Sequence, residues 1–118
     1  MQIHIKATKL DLTPAVHEYI ERRIGSLEQY LGRFEREKQV HIYIEIARST
    51  KHHKSGNVFY AEVTTNVAGE KLRVERYAED VRTAIDDVKD VLKRDIRKIK
   101  EKQVDKKRGL RRALKPKR

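Results

Sequence analysis

The sequence predicts an α+β fold of order β-α-β-β-β-α. Its expected form is a four-stranded, mostly antiparallel sheet with two helices packed on one face. Three observations carry this. Four short segments alternate apolar and polar residues at strand period. Two longer segments repeat apolar residues at helical period, and three of the strands fall between them. At 118 residues the chain has material for one modest core.

Gln2 to Thr8 alternates Ile3, Ile5 and Ala7 against His4, Lys6 and Thr8, a strand with one buried face. Thr13 and Pro14 then supply a helix start, with threonine as N-cap and proline at the first helical position. The helix is expected to run to about Leu31, with Val16, Ile20, Ile24, Leu27 and Leu31 on one face and Gly32 as its stop. Gly25 weakens its middle by about 1 kcal/mol relative to alanine, so a packing contact there is expected to compensate.

Gln39 to Ala47 is the clearest strand, with Val40, Ile42, Ile44 and Ile46 at alternate positions. Residues 48–57 are polar and basic and read as a loop. A third strand spans about 58–67, with Phe59, Ala61 and Val63 on one face. Gly69 closes a hairpin into a fourth strand over about 71–76, where Leu72 and Val74 face the core. A long amphipathic helix follows to Lys102, its seam formed by Val81, Ile85, Val88, Leu92, Ile96 and Ile99.

Charge is sorted along the chain. Residues 1–90 hold 15 Lys/Arg and 15 Asp/Glu, whereas residues 91–118 hold 14 and 3, so the net +11 lies in the last quarter. The long helix starts acidic (Glu79, Asp80, Asp86, Asp87, Asp90) and ends basic, which suits the helix macrodipole. A concentrated positive end points to a polyanion partner, because neutralising phosphates releases counterions. Residues 105–118, rich in Lys and Arg and containing Gly109 and Pro116, read as a basic tail expected to be disordered in isolation. No cysteine is present, so a disulfide framework and Cys-based metal sites are excluded, and a reducing cytoplasm is the natural compartment. No run approaches the ~20 apolar residues needed to span a bilayer.

Catalysis finds little support. The chain lacks a Gly-rich phosphate loop, GxSxG and HExxH, and the carboxylates of the long helix are accounted for by helix-end electrostatics. His52-His53 is the one adjacent histidine pair, and a solvated or RNA-facing loop suits it better than a metal site. The protein is therefore read as a non-enzyme with no cofactor and no metal.

The basic residues are the better candidates. At 100° per residue Lys89, Lys93, Arg97 and Lys100 form a stripe along one flank of the apolar seam, with Arg94 and Lys98 on the other. Together they make a cationic ridge able to lie against phosphates. Lys51, His52, His53 and Lys54 add a second cationic element whose rings can stack on a base or ribose. Arg23 falls near the edge of the first helix's apolar stripe, so its stem should pack while its guanidinium reaches out. Phe34, Phe59, Tyr19 and Tyr30 read as packing residues rather than base platforms. An RRM is excluded by element order, and a duplex-RNA domain fits poorly because the last helix starts with Glu79-Asp80 where such domains carry lysines.

Three segments, LDLTPAVHEYIERRIGSLE, KHHKSGNVFYAEVTTNV and AEDVRTAIDDVKDVLKRDIRKIKEK, stand in an order and spacing that resemble the ribosome hibernation promoting factor family. That family is also called ribosome-associated inhibitor A or the sigma-54 modulation protein family. The resemblance covers about residues 1–102, and its length is that of a short-type member. It implies that residues 1–104 form a ribosome-binding domain that fills the channel of the 30S subunit near the decoding centre. There it would contact 16S rRNA and 30S proteins, compete with mRNA, tRNA and initiation factors, and block translation during stasis, being monomeric off the ribosome. The family's RNA-contacting positions fall on Arg23, Arg94 and Lys98, and less specifically on Lys100 and Lys102. Val81-Arg82 and Val91 depart from its pattern, and Lys89 and Lys93 can substitute for the charge missing at Val91. Two alternatives stand beside this reading, a general double-stranded RNA or DNA binder and a protein-interaction module that modulates a sigma factor.

Overall fold

The structure, a computed structural model, describes residues 1–49 and 58–114. Its elements are β1 (Gln2–Thr8), α1 (Pro14–Gly25), α2 (Glu28–Glu35), β2 (His41–Arg48), β3 (Phe59–Val67), β4 (Glu70–Ala78) and α3 (Val81–Leu114). The four strands form one sheet in the order β1-β2-β3-β4. β3 runs antiparallel to both of its neighbours, β2 and β4, while β1 runs parallel to β2 in register from Gln2↔His41 to Thr8↔Ala47. A parallel pair needs a crossover, and α1 with α2 supplies it across one face of the sheet.

The core lies between that face and α3. Ile42, Ile44 and Ile46 of β2 meet Ala61 and Val63 of β3 and Val74 of β4, and the helical side contributes Ile20, Ile24, Ile85, Val88, Leu92 and Ile96, all buried. Strand period and helical period converge here: every second strand residue and every third or fourth helix residue is apolar, so both faces dry together. The α3 seam read from sequence is buried from Ile85 to Ile99, with Val81 half-buried at its start.

Two expectations differ from the structure. The single first helix is two helices, α1 and α2, broken at Ser26 and Leu27. Apolar residues keep their 4-3-4-3 spacing across the break, and Ile20, Ile24, Leu27, Leu31 and Phe34 all stay buried, so periodicity alone hides it. The chain tightens there through i→i−3 bonds, Leu27 N–H to the Ile24 carbonyl (3.0 Å) and Tyr30 N–H to the Leu27 carbonyl (2.9 Å). Gly25 is thus the last residue of α1, not its middle, and no packed neighbour requires a glycine there. Gly32 lies inside α2 and stops nothing.

The second difference is the length of α3. Residues 105–114, expected to be disordered, continue the helix, while residues 115–118 lie outside the described residues. Residues 105–114 are all exposed, so packing does not hold this extension. Propagating an existing helix adds one hydrogen bond per residue without a new nucleus, and most of these residues are good helix formers. Arg111 and Arg112 also sit in the last turn, where cations favour the dipole. At 34 residues α3 is about 51 Å long, and it stretches the molecule to 67 × 28 × 17 Å.

Candidate nucleic-acid interface

The candidate interface is built on α3 and the seam it shares with α1 and α2. Asp80 fixes the start of α3: its carboxylate accepts the Thr83 N–H and the Thr83 hydroxyl, each at 2.8 Å. These bonds hold the Asp80 carboxyl below the usual aspartate range. From there the helix period lays out the cations. Arg23 of α1 is anchored at Asp86, its Nε 3.3 Å from Oδ1. Lys89, Lys93, Arg97 and Lys100 follow at steps of three and four along the same flank.

Tyr19 organises the Arg23 end. Its hydroxyl donates to Asp86 and accepts from Arg23 Nε at 3.3 Å. The guanidinium carbons of Arg22, Arg23 and Arg82 lie 5.5, 5.3 and 5.4 Å from its ring centroid, within cation–π range. The hydrogen bond to Tyr19 and the charge of Asp86 raise the Arg23 pKa further. Two helical turns on, Lys93 Nζ sits 5.1 Å from the Tyr30 centroid. Both tyrosines pack against the core, as their spacing predicts, and both also carry cations.

Lys89 is mostly covered and its ammonium lies 3.5 Å from Asp90, so it offers less to a ligand than its neighbours. Arg94, Arg97 and Lys98 line one shallow depression with Asp90, Lys93 and Glu101, so the two flanks of the ridge merge over the outer face of α3. Arg94, Arg97, Lys98 and Lys100 are exposed and make no ion pair among the described residues. Lys102 is bound instead to Glu70 of the β3–β4 hairpin at 2.9 Å. Lys51, His52, His53 and Lys54 lie outside the described residues. Among the described residues no group of three or more His, Cys, Asp or Glu is placed to hold a metal, and no helix is long and apolar enough to cross a membrane.

The structure thus brings Arg23, Lys93, Arg97 and Lys100 onto one seam and joins Arg94 and Lys98 to it around the helix. Sequence reasoning missed Arg22, Arg82 and the role of Tyr19. The spacing of Tyr19, Arg22 and Arg23 (i, i+3, i+4) signals the local part, whereas Arg82 arrives through tertiary packing that no local spacing reports. Asp86, accounted for in the sequence by helix-end electrostatics alone, is half-buried against α1.

Residues 3–104 match the family described as "Sigma 54 modulation protein / S30EA ribosomal protein". The chain is 31% identical over 116 residues to the ribosome hibernation promoting factor of Azotobacter vinelandii, covering 98% of both chains. It is also 31% identical over 108 residues to the ribosome hibernation promotion factor of a Picosynechococcus strain, of which it spans about half, 53%. In three dimensions it is similar to the N-terminal domain of Thermus thermophilus Protein Y, with a TM-score of 0.67 at 22% identity over 84% of this chain and 99% of that one. The match over residues 3–104, the full-length relative and the shared fold lead to one conclusion: the chain belongs to the sigma-54 modulation protein / S30EA ribosomal protein family.

Proposed function

We propose that this protein is a non-enzymatic ribosome hibernation factor that binds the small ribosomal subunit and inhibits translation during stasis. The observation that carries the reading is the outer face of α3. Four exposed cations there, Arg94, Arg97, Lys98 and Lys100, have no carboxylate partner among the described residues, and uncompensated cations along one rigid face match a phosphate backbone. Arg23 and Lys93 extend that surface along the seam, Lys89 supports it at its edge, and Lys51, His52, His53 and Lys54 add a further contact. The names of the curated relatives, ribosome hibernation factors, support ribosomal RNA as that polyanion.

The target is the 16S rRNA of the 30S channel near the decoding centre. Occupancy there excludes mRNA, tRNA and initiation factors. The protein acts on cytoplasmic ribosomes as a monomer, with residues 1–104 as the binding domain and the basic extension adding contacts. The test is competition: tRNA with mRNA should displace the bound protein from 30S subunits, and binding that persists unchanged at saturating tRNA and mRNA would remove the channel from the account. A general duplex binder would hold naked duplex RNA as well as it holds 30S subunits.

A further inference from the structure

The sheet face turned away from the helices carries a second constellation, unrelated to the cationic ridge. Strand register lays out its side chains in rows: His4 opposite Tyr43, Tyr43 opposite Thr64, Thr64 opposite Arg73, with Asn66 opposite Lys71 one row over. Three rings meet there. His4 and Tyr43 stack with centroids 4.6 Å apart and planes 14° apart, and His4 stacks on His41 at 5.2 Å and 23°. His4 Nε2 and His41 Nδ1 are 3.0 Å apart, so one ring donates and the other accepts, which locks the pair across β1 and β2. Tyr43 remains 53% exposed, and none of the three rings belongs to the core.

Beside this stack a cleft of about 650 Å³ opens at the end of the sheet, within the range of small-ligand pockets. His41 and Tyr43 form part of its wall, together with Gln39, Asn66, Lys38 and Lys71. Glu37 lies along it too. Charge on this face decides what fits. The carboxylates of the neighbouring row are already occupied: Glu45 takes the Thr8 hydroxyl at 2.6 Å and Lys6 at 3.9 Å, and Glu62 and Glu75 share Arg73 at 3.2 and 3.7 Å. Lys38, Lys71 and Glu37 make no ion pair among the described residues, so two cations against one carboxylate leave the cleft beside the rings with a net positive charge.

We infer that Tyr43, backed by His4, is a stacking platform for one nucleobase of single-stranded RNA. Lys71 and Lys38 face the adjoining phosphate, and the Asn66 and Gln39 amides supply the donors and acceptors that a base edge and a ribose 2′-hydroxyl require. The site goes beyond the proposed ribosome function and does not depend on it, because Tyr43 and His4 stand on the sheet face turned away from the ridge, while the cleft beside them reaches round the sheet end to Phe34 of α2 and Gln103 of α3.

The test uses the full chain and three labelled ten-residue probes: oligoadenosine, the same ribose-phosphate backbone without bases, and the deoxy version of the first. Anisotropy titration should give about tenfold tighter binding of oligoadenosine than of the abasic strand. Tyr43→Ala should abolish that difference, Tyr43→Phe should keep it, and Arg94→Glu with Lys98→Glu should weaken all three probes while preserving the ratio. Adenosine monophosphate should also shift the Tyr43 and His4 ring protons of the unmodified protein. Equal binding of oligoadenosine and the abasic strand, a difference that survives Tyr43→Ala, or unmoved ring protons would overturn the site. Equal binding of the deoxy probe would overturn its assignment to RNA. None of these outcomes bears on sedimentation with 30S subunits, so the two readings fail separately.

Discussion

The hydroxyl of Tyr19 on α1 lies 2.8 Å from both carboxylate oxygens of Asp86 on α3. The same carboxylate holds Arg23, so one acidic group ties two helices together and aims an arginine. Asp86→Asn should therefore move two readouts in opposite directions. Urea denaturation should show a loss of about 1 kcal/mol, in keeping with a partly exposed hydrogen bond to a charged acceptor. RNA affinity should rise a few-fold, because Arg23 loses its internal counterion. A parallel fall in both would mean that Asp86 positions Arg23 more than it competes for it.

The Asp80 cap predicts a pH dependence. Thr83 holds its carboxyl below the usual aspartate range, and Tyr60 first, then Arg73, do the same for Glu62. With a folded-state pKa below the unfolded one, the folded protein binds fewer protons. The associated stability is complete above about pH 4 and is lost as pH falls through the folded-state values. Asp80→Ala should cost about 1 kcal/mol at neutral pH and flatten part of the acid loss. Denaturant midpoints at pH 7 and pH 3 check it; an unchanged acid slope in the variant would contradict the cap's role.

The β3–β4 turn contains a misfit. Ala68 and Gly69 connect Val67 and Glu70 with φ of 52° and 80°, a two-residue turn with both central residues in the left-handed region. Glycine tolerates this, whereas alanine bears a cost of about 1 kcal/mol. Ala68→Asn or Ala68→Gly should raise the thermal midpoint by a few degrees, and a lowered midpoint in both would refute the strain.

How far the sequence was legible follows from which forces were local. The strand faces and the α3 seam were readable because burial repeats at the backbone's own period. The break at Ser26 was not, since Leu27 keeps the apolar stripe continuous across it. The length of α3 was obscured because beyond Val104 neither burial nor amphipathic pattern marks the helix. At the interface, Arg23 and the ridge cations were visible as positions on a helical wheel, whereas the gathering of Arg22 and Arg82 around Tyr19 depends on α1 meeting α3. The ring stack of His4, His41 and Tyr43 was likewise hidden, because its members become neighbours only through the parallel register of β1 and β2.

The helical extension yields its own expectation. Residues 105–114 are exposed throughout and carry five Lys/Arg against Asp105 alone. Deleting 105–118 should leave the thermal midpoint nearly unchanged while lowering 30S affinity and the steepness of its salt dependence. An unchanged affinity and salt slope would show that the extension makes no phosphate contact.

The central claim is that the face of α3 around Arg94 and Lys98 holds the protein on the small subunit. Co-sedimentation with purified 30S subunits through a gradient tests it directly, comparing the natural chain with Arg94→Glu plus Lys98→Glu. The natural chain should travel with the 30S peak and the double reversal should stay at the top, with a salt slope reduced by about 1.5 to 2 in a residual-binding assay. A double reversal that is folded and still sediments fully with 30S subunits would contradict the account.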